Sequence, residues 1–247
     1  KRLREALDAR GREAVFLSLT NCRFELEDDG LPIRLPGFET SLPEAVFVRG
    51  VPGGSLEQVT FYLDVLHGLK ALGLPVYNDG RAIERTVDKA MTSFVLHRAG
   101  IPTPPSWVTR DPEVAMQRIR TELDQGQSVV SKPLFGSQGV GLRRYSTLSE
   151  LESLSPDNGL FYLQRYIDSG DDSHDFRVFV IAGKAVAAMR RSGVTWLNNV
   201  HQGARCEPVM LDEILLTRLA EDAVKSLEMN YAGVDIIRDR HGRATVL

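Results

Sequence analysis

The chain has 247 residues, 43% of them hydrophobic and 26% charged, with a formal net charge of −3. This composition suits a globular protein with a real core and excludes a protein whose overall field draws in nucleic acid or an anionic membrane. No apolar run approaches the ~20 residues of a membrane span, no signal peptide opens the chain, and Cys22 and Cys206 cannot form a disulfide framework, so a soluble cytoplasmic protein is expected.

Residues 1–7 pattern as an amphipathic helix closed by Gly11, whereas an α/β domain ordinarily begins on a strand, so the natural N-terminus is expected upstream. Residues 14–17 (AVFL) and 45–48 (AVFV) read as buried strands, 56–72 as a helix and 75–77 as a short strand, which together predict a parallel α/β domain. A helical pattern over 88–98 is stopped by Gly100, and Ile101-Pro102-Thr103-Pro104-Pro105 makes a stiff extended connector near a domain boundary. The next unit reads as strand 106–109, helix from Asp111 (N-cap) and Pro112 through Leu123, strand 128–132, a glycine loop and a further strand. Residues 160–167 form another strand, and 176–181 with 184–190 a hairpin around Ala182-Gly183. Leu216, Leu219, Ala220, Ala223 and Leu227 recur at helical spacing over 211–228, and strands 233–237 and 244–247 pair around His241-Gly242.

The chemistry concentrates in the segment SKPLFGSQGVGL, residues 131–142. Lys132 ends a Val-Val strand, and Gly136, Gly139 and Gly141 can turn successive backbone N–H groups toward an anion while the lysine adds charge. The spacing is GxxGxG with no Gly-Lys-Ser/Thr, so it is neither a dinucleotide fingerprint nor a Walker A loop, and a glycine-rich hairpin turn is the plain alternative. Asp235, within Val-Asp-Ile-Ile, is either a metal ligand or a carboxylate alternating onto a wet face. Asp175 and Arg177 flank Phe176 and so share one strand face, suited to ribose and phosphate or to a cross-strand ion pair, and Arg190-Arg191 carries the same ambiguity. Asn198-Asn199-Val200-His201-Gln202-Gly203 is a polar loop, and Lys89 beside Asp88 reads from the residues alone as an exposed helix lysine.

Taken in order, Lys89, GIPTPP, SKPLFGSQGVGL, YLQRYI, DFRVFV, AMRR, NNVHQG and AGVDI resemble an ATP-grasp ligase of the RimK-like α-L-glutamate ligase family, over nearly the whole chain. The wording RAIERTVDKAMTSFVLHRAGIPTPP is most similar to the branch that glutamylates tetrahydromethanopterin-type pterins. The resemblance implies an α/β (α+β) ATP-grasp fold: an N-terminal parallel α/β domain over 1–80, a central subdomain with the lid loop over 81–163 and an antiparallel C-terminal subdomain over 164–247. It implies that Lys89 and Lys132 hold ATP phosphates, that the loop of Gly136, Ser137, Gly139 and Gly141 covers them, and that Gln164, Arg165 and Tyr166 line the adenine hinge. Asp175 would face the ribose, Arg177 and Arg191 the acyl-phosphate region, Asn199 the triphosphate and metal, and Asp235 would bind Mg²⁺ or Mn²⁺.

The implied reaction is ATP-dependent carboxylate–amine ligation, joining L-glutamate to a carboxylate-bearing small molecule, by a homo-oligomer (dimer or tetramer) with no nucleic acid or membrane partner. Lys132, Arg177 and Arg191 would neutralise charge as it develops. Glutamylation of a ribosomal-protein C-terminus and a non-catalytic ATP-binding module are the alternatives. The chain departs from the family pattern at Leu197 and Gln202, where arginines are common. The first strand and the Glu-x-Asn pair that would follow the last strand are also missing, and the natural chain is expected to continue with an acidic and then an amide residue.

Overall fold

A capping box opens the longest helix of the computed structural model, which describes all residues except 1, 28, 29, 137, 138, 171, 172, 194, 195 and 197–202. The chain divides into two units, Lys1–Arg81 and Ala82–Leu247.

The first unit contains α1 (Arg2–Asp8), β1 (Arg23–Phe24), β2 (Ile33–Arg34), β3 (Val46–Phe47), α2 (Leu56–Ala71) and β4 (Val76–Tyr77). Ser55 Oγ accepts from Gln58 N at 3.3 Å and Gln58 Oε1 accepts from Ser55 N at 2.9 Å, which fixes the start of α2. Tyr62, Leu63, Val65, Leu66 and Leu69 form its buried face. β3 and β4 pair in parallel across α2, as the alternation of strand and helix predicts. Residues 14–17 correct the reading: they form no strand, Val15 and Phe16 are 45% and 50% exposed, and the Phe16 ring packs under the Arg4 guanidinium. A four-residue apolar run has no period that separates a strand from an extended segment, and pairing decides which it becomes. The antiparallel pair β1–β2 was not legible, since it sets Arg23 opposite Arg34. Glu25 accepts from both, at 2.6 and 2.5 Å, and offsets the like-charge pairing.

The boundary falls within α3 (Gly80–Val87), and α4 (Lys89–Arg98) follows. The second unit continues with β5 (Ser106–Thr109), α5 (Pro112–Asp124), β6 (Val129–Lys132), β7 (Arg143–Tyr145), β8 (Phe161–Arg165), β9 (His174–Ile181), β10 (Lys184–Ser192), β11 (Arg205–Val209), α6 (Ile214–Ser226), β12 (Tyr231–Arg238) and β13 (Ala244–Val246). Two antiparallel sheets result, ordered β5-β8-β6-β7 and β11-β10-β9-β12-β13.

Each sheet is covered on one face by a helix. Ala115 and Ile119 of α5 pack on Val129, Tyr145, Phe161 and Leu163. Leu216, Ala220, Ala223 and Val224 of α6 pack on Phe176, Val178, Val180 and Ile236, and Leu96 of α4 joins that core. Because strand side chains alternate, the residues between these core positions, among them Tyr162, Gln164, Asp175, Arg177 and Asp235, go to the other face of each sheet. The helix expected over 211–228 is shorter at both ends, and α3 and β11 are elements the residue pattern did not announce.

Candidate active site

Lys132 closes β6, where the register sets it opposite Tyr162 and sets Val130 opposite Gln164. Lys132 and Gln164 therefore share a face, and Lys132 Nζ donates to Gln164 Oε1 at 2.5 Å. Burial, with the positive charge of Lys89 added, pushes the Lys132 ammonium down to about 8, against the opposing pull of Asp235.

Lys89 begins α4 just after Asp88, whose carboxylate caps the helix by accepting from Ala90 N at 2.8 Å and Met91 N at 3.1 Å. Its Nζ donates to the carbonyls of Leu134 and Gly136, at 3.2 and 2.9 Å. Burial lowers its pKa, with Asp157 and Asp88 opposing. The bonded acceptors of both lysines are neutral, a pair of carbonyls and an amide oxygen. Two cations are thus gathered beside the glycine loop with no bonded counter-ion among the described residues, which makes the site ready for a polyanion.

The loop joins β6 to β7, which pair antiparallel, so it is the hairpin connection and also lies beside Lys89. Gly136, Gly139 and Gly141 all have positive φ, and at Gly141 a Cβ would come within 2.8 Å of Pro133 Cγ. Ser137 lies outside the described residues.

On the larger sheet the register places Arg191 opposite Asp175 and Asp235 opposite Arg177. Both pairs are bidentate: Arg191 to Asp175 at 2.6 and 2.8 Å, and Arg177 to Asp235 at 2.6 Å through each nitrogen. Arg191 also reaches Asp235 at 3.0 Å, which joins the two pairs into one lattice of alternating charge. Asp175 and Arg191 are buried, and burial pushes the Asp175 carboxyl up against the pull of Arg191. Burial disfavours the Arg191 charge too, but its bonds to the aspartates outweigh this and hold it charged. The cross-strand ion pair anticipated for Asp175 and Arg177 therefore exists twice, each aspartate taking an arginine on a neighbouring strand, the Asp175–Arg191 pair buried and the Arg177–Asp235 pair partly exposed.

The structure thus gathers Lys89, Lys132, Gln164 and the described loop glycines in one group, and Asp175, Arg177, Arg191 and Asp235 in another. Lys132 feels the charge of Asp235, so that carboxylate lies within electrostatic reach of the lysine. Arg165 goes elsewhere: its side chain lies on the α5 face, bidentate to buried Glu122 at 2.6 and 3.1 Å. Tyr166 lies under the Arg144 guanidinium at 3.8 Å and edge-on to Trp196. Asn199, with His201 and Gln202, falls outside the described residues. Among the described residues no three His, Cys, Asp or Glu side chains are arranged to hold a metal, and both oxygens of Asp235 carry guanidinium bonds. That carboxylate is nonetheless a hard oxygen donor with its side chain 26% exposed, a set that fits a cation held mainly by its nucleotide. Residue reasoning missed Ser93, Ser106 and Tyr162, although Ser93 stands one helical turn after Lys89.

Residues 86–246 match the model of the RimK-like ATP-grasp domain. The chain is 32% identical to the tetrahydromethanopterin:alpha-L-glutamate ligase of Methanosarcina acetivorans across 78% of its own length, and spans 63% of that relative. It is 31% identical to the probable alpha-L-glutamate ligase 2 of Shewanella amazonensis, across 98% of this chain and 80% of that one. Among solved structures, the ATP-grasp ligase PsnB complexed with a minimal precursor superposes with a TM-score of 0.71 at 25% identity, covering 98% of this chain and 82% of that one. A RimK-domain ATP-grasp protein from Sphaerobacter thermophilus shares the fold, with a TM-score of 0.72 at 20% identity over 99% of this chain and 83% of that one.

Proposed function

The chain belongs to the RimK-like ATP-grasp family, and from that premise we propose that it is an ATP-dependent ligase adding L-glutamate to a carboxylate on a small coenzyme. The γ-phosphoryl group passes to an acceptor carboxylate oxygen, the bond from the β,γ-bridging oxygen to the γ-phosphorus breaks, and ADP leaves. The α-amine of glutamate then attacks the acyl carbon, loses a proton and expels phosphate, which leaves an amide.

The observation that carries this reading is the pair of half-buried lysines bonded to neutral acceptors beside a glycine hairpin. A triphosphate supplies the counter-charge that the lysines lack, and in a partly buried site the complementarity is worth more than on the open surface. Lys89 and Lys132 bind its phosphates, and N–H groups of Gly136, Ser137, Gly139 and Gly141 close over them. Gln164, Arg165 and Tyr166 form the hinge beside the base, Arg165 through its backbone because its side chain is held by Glu122. Asp175 is oriented by Arg191 toward the ribose side, and Arg177 and Arg191 meet the acyl phosphate as its charge grows. Asn199 completes the triphosphate contacts. When bound, Mg²⁺ neutralises triphosphate charge, and Asp235 is the residue that holds it.

The names of the relatives favour a pterin-type acceptor. A peptide carboxylate is the second reading, favoured by the PsnB structures, which carry precursor peptides. Purified protein with ATP, glutamate and each acceptor class in turn tests both, read by ADP release and product mass. ADP release that needs both glutamate and the acceptor supports the proposal. Release indifferent to both contradicts it.

A further inference from the structure

Around the Gln164 amide behind Lys132, the bond directions follow from the chemistry of its partners. Ser106 Oγ lies 2.9 Å from the Pro104 carbonyl, which only accepts, so the Ser106 proton goes there. Ser106 Oγ then accepts from Gln164 Nε2 at 3.0 Å. The second amide hydrogen of Gln164 goes to the Tyr162 hydroxyl at 3.3 Å, and that hydroxyl shares a further hydrogen bond with Ser93 Oγ at 2.8 Å. With both amide hydrogens directed away, Gln164 Oε1 is the atom that meets Lys132. The flipped amide would set an NH₂ against the ammonium, donor to donor, and leave the Ser106 lone pair without its hydrogen.

We propose that Tyr162, with Ser106 and Ser93, is a positioning relay that locks the Gln164 amide with its oxygen toward Lys132 and so holds that lysine charged and in place for its anion. Ser93 stands one turn after Lys89 on α4, so the relay ends on the helix that carries the second lysine. The inference rests on the reading that Lys132 meets a nucleotide phosphate. Half-buried Lys132 is helped to stay charged by an acceptor, and among the described residues Gln164 is the bonded one. The other ionisable groups acting on it are Lys89 from α4, which disfavours its charge, and Asp235 from β12, which favours it.

Calorimetric titration with Mg-ATP, without acceptor, from pH 7 to 9.5 tests the relay in wild type, Tyr162→Phe, Ser106→Ala, Gln164→Glu and Lys132→Met. Wild-type affinity falls at alkaline pH as Lys132 loses its proton. Tyr162→Phe and Ser106→Ala free the amide to turn, and the fall begins at lower pH. A displacement of half a unit makes binding about threefold weaker than wild type at pH 8.5 with little change at pH 7. Gln164→Glu places a carboxylate on the ammonium and moves the fall upward. A wild-type pH dependence in Tyr162→Phe and Ser106→Ala, or a loss equal at every pH, overturns the relay and leaves the ligase reading standing. Lys132→Met that binds Mg-ATP as tightly as wild type at pH 7 overturns that reading and the relay together.

Discussion

Lys132 is a cation that the fold itself disfavours, and this has a consequence without any ligand. Its folded pKa of about 8 lies below the 10.5 of a free lysine, so between those values the unfolded chain holds a proton that the native one does not. Stability in the absence of nucleotide should therefore rise with pH through that window, by up to ~1.4 kcal/mol per unit. Lys132→Met should flatten the rise and be the more stable protein at pH 7, by on the order of 1–3 kcal/mol in urea denaturation. The same substitution should lower ligation at least a hundredfold, since one phosphate-paired cation in a dry site is worth ~3 kcal/mol. A variant that is more stable and inactive marks a residue kept for function.

The arginines of the larger sheet should behave in the opposite sense. Arg191→Met leaves Asp175 buried without its partner and should cost about 3–5 kcal/mol, with Asp175→Asn in the same chain recovering part of the loss. Arg177→Met should cost about 1 kcal/mol, because water reaches that pair and weakens it. Equal losses in urea denaturation at both positions would contradict the difference in burial.

At the scale of elements, legibility followed how much of the signal was local. The helix α5 announced itself through Asp111 and Pro112, and Asp111 does accept from Glu113 N and Val114 N, at 2.8 and 3.3 Å. The β9–β10 hairpin was readable from Ala182-Gly183, both of which take positive φ. The strand expected at residues 14–17 and the strand β11 depended on pairing with distant segments, which no local pattern encodes. In the site, alternation was enough to put Asp175 and Arg177 on one face, but the pairing of Asp175 with Arg191 and of Arg177 with Asp235 comes from register across three strands. Tyr162 was hidden for the same reason, since its partners are Gln164, two residues away on β8, and Ser93 on α4.

The glycine hairpin gives an element-scale prediction. Gly141 combines a φ of +75° with a Cβ position 2.8 Å from Pro133, whereas Gly126 has a φ of +72° and nothing within 4 Å. Gly126→Ala should cost about 1 kcal/mol from backbone strain alone. Gly141→Ala should cost more, because Pro133 must also shift, and should weaken Mg-ATP binding where Gly126→Ala does not. Thermal unfolding and nucleotide titration of the two variants provide the comparison.

For the whole molecule, the second unit carries the lysines, the glycine hairpin and the ion-pair lattice within Ala82–Leu247, and the family match over residues 86–246 covers the same stretch. Two antiparallel sheets, each covered on one face by helix, carry charged and polar side chains on the other face, and these charges divide the work. The lattice of two arginines and two aspartates is neutral within itself, so the lysines hold the unbalanced charge. On this account the phosphate of ATP is what the site lacks, and the acceptor carboxylate is what that phosphate reacts with. The most direct measurement is isotope transfer from an acceptor whose carboxylate carries ¹⁸O, incubated with the protein, ATP and glutamate. Transfer of the label into the released phosphate, with a glutamyl amide as product, is the predicted result. Phosphate free of label would contradict passage through an acyl phosphate, and with it the ligase reading of this site.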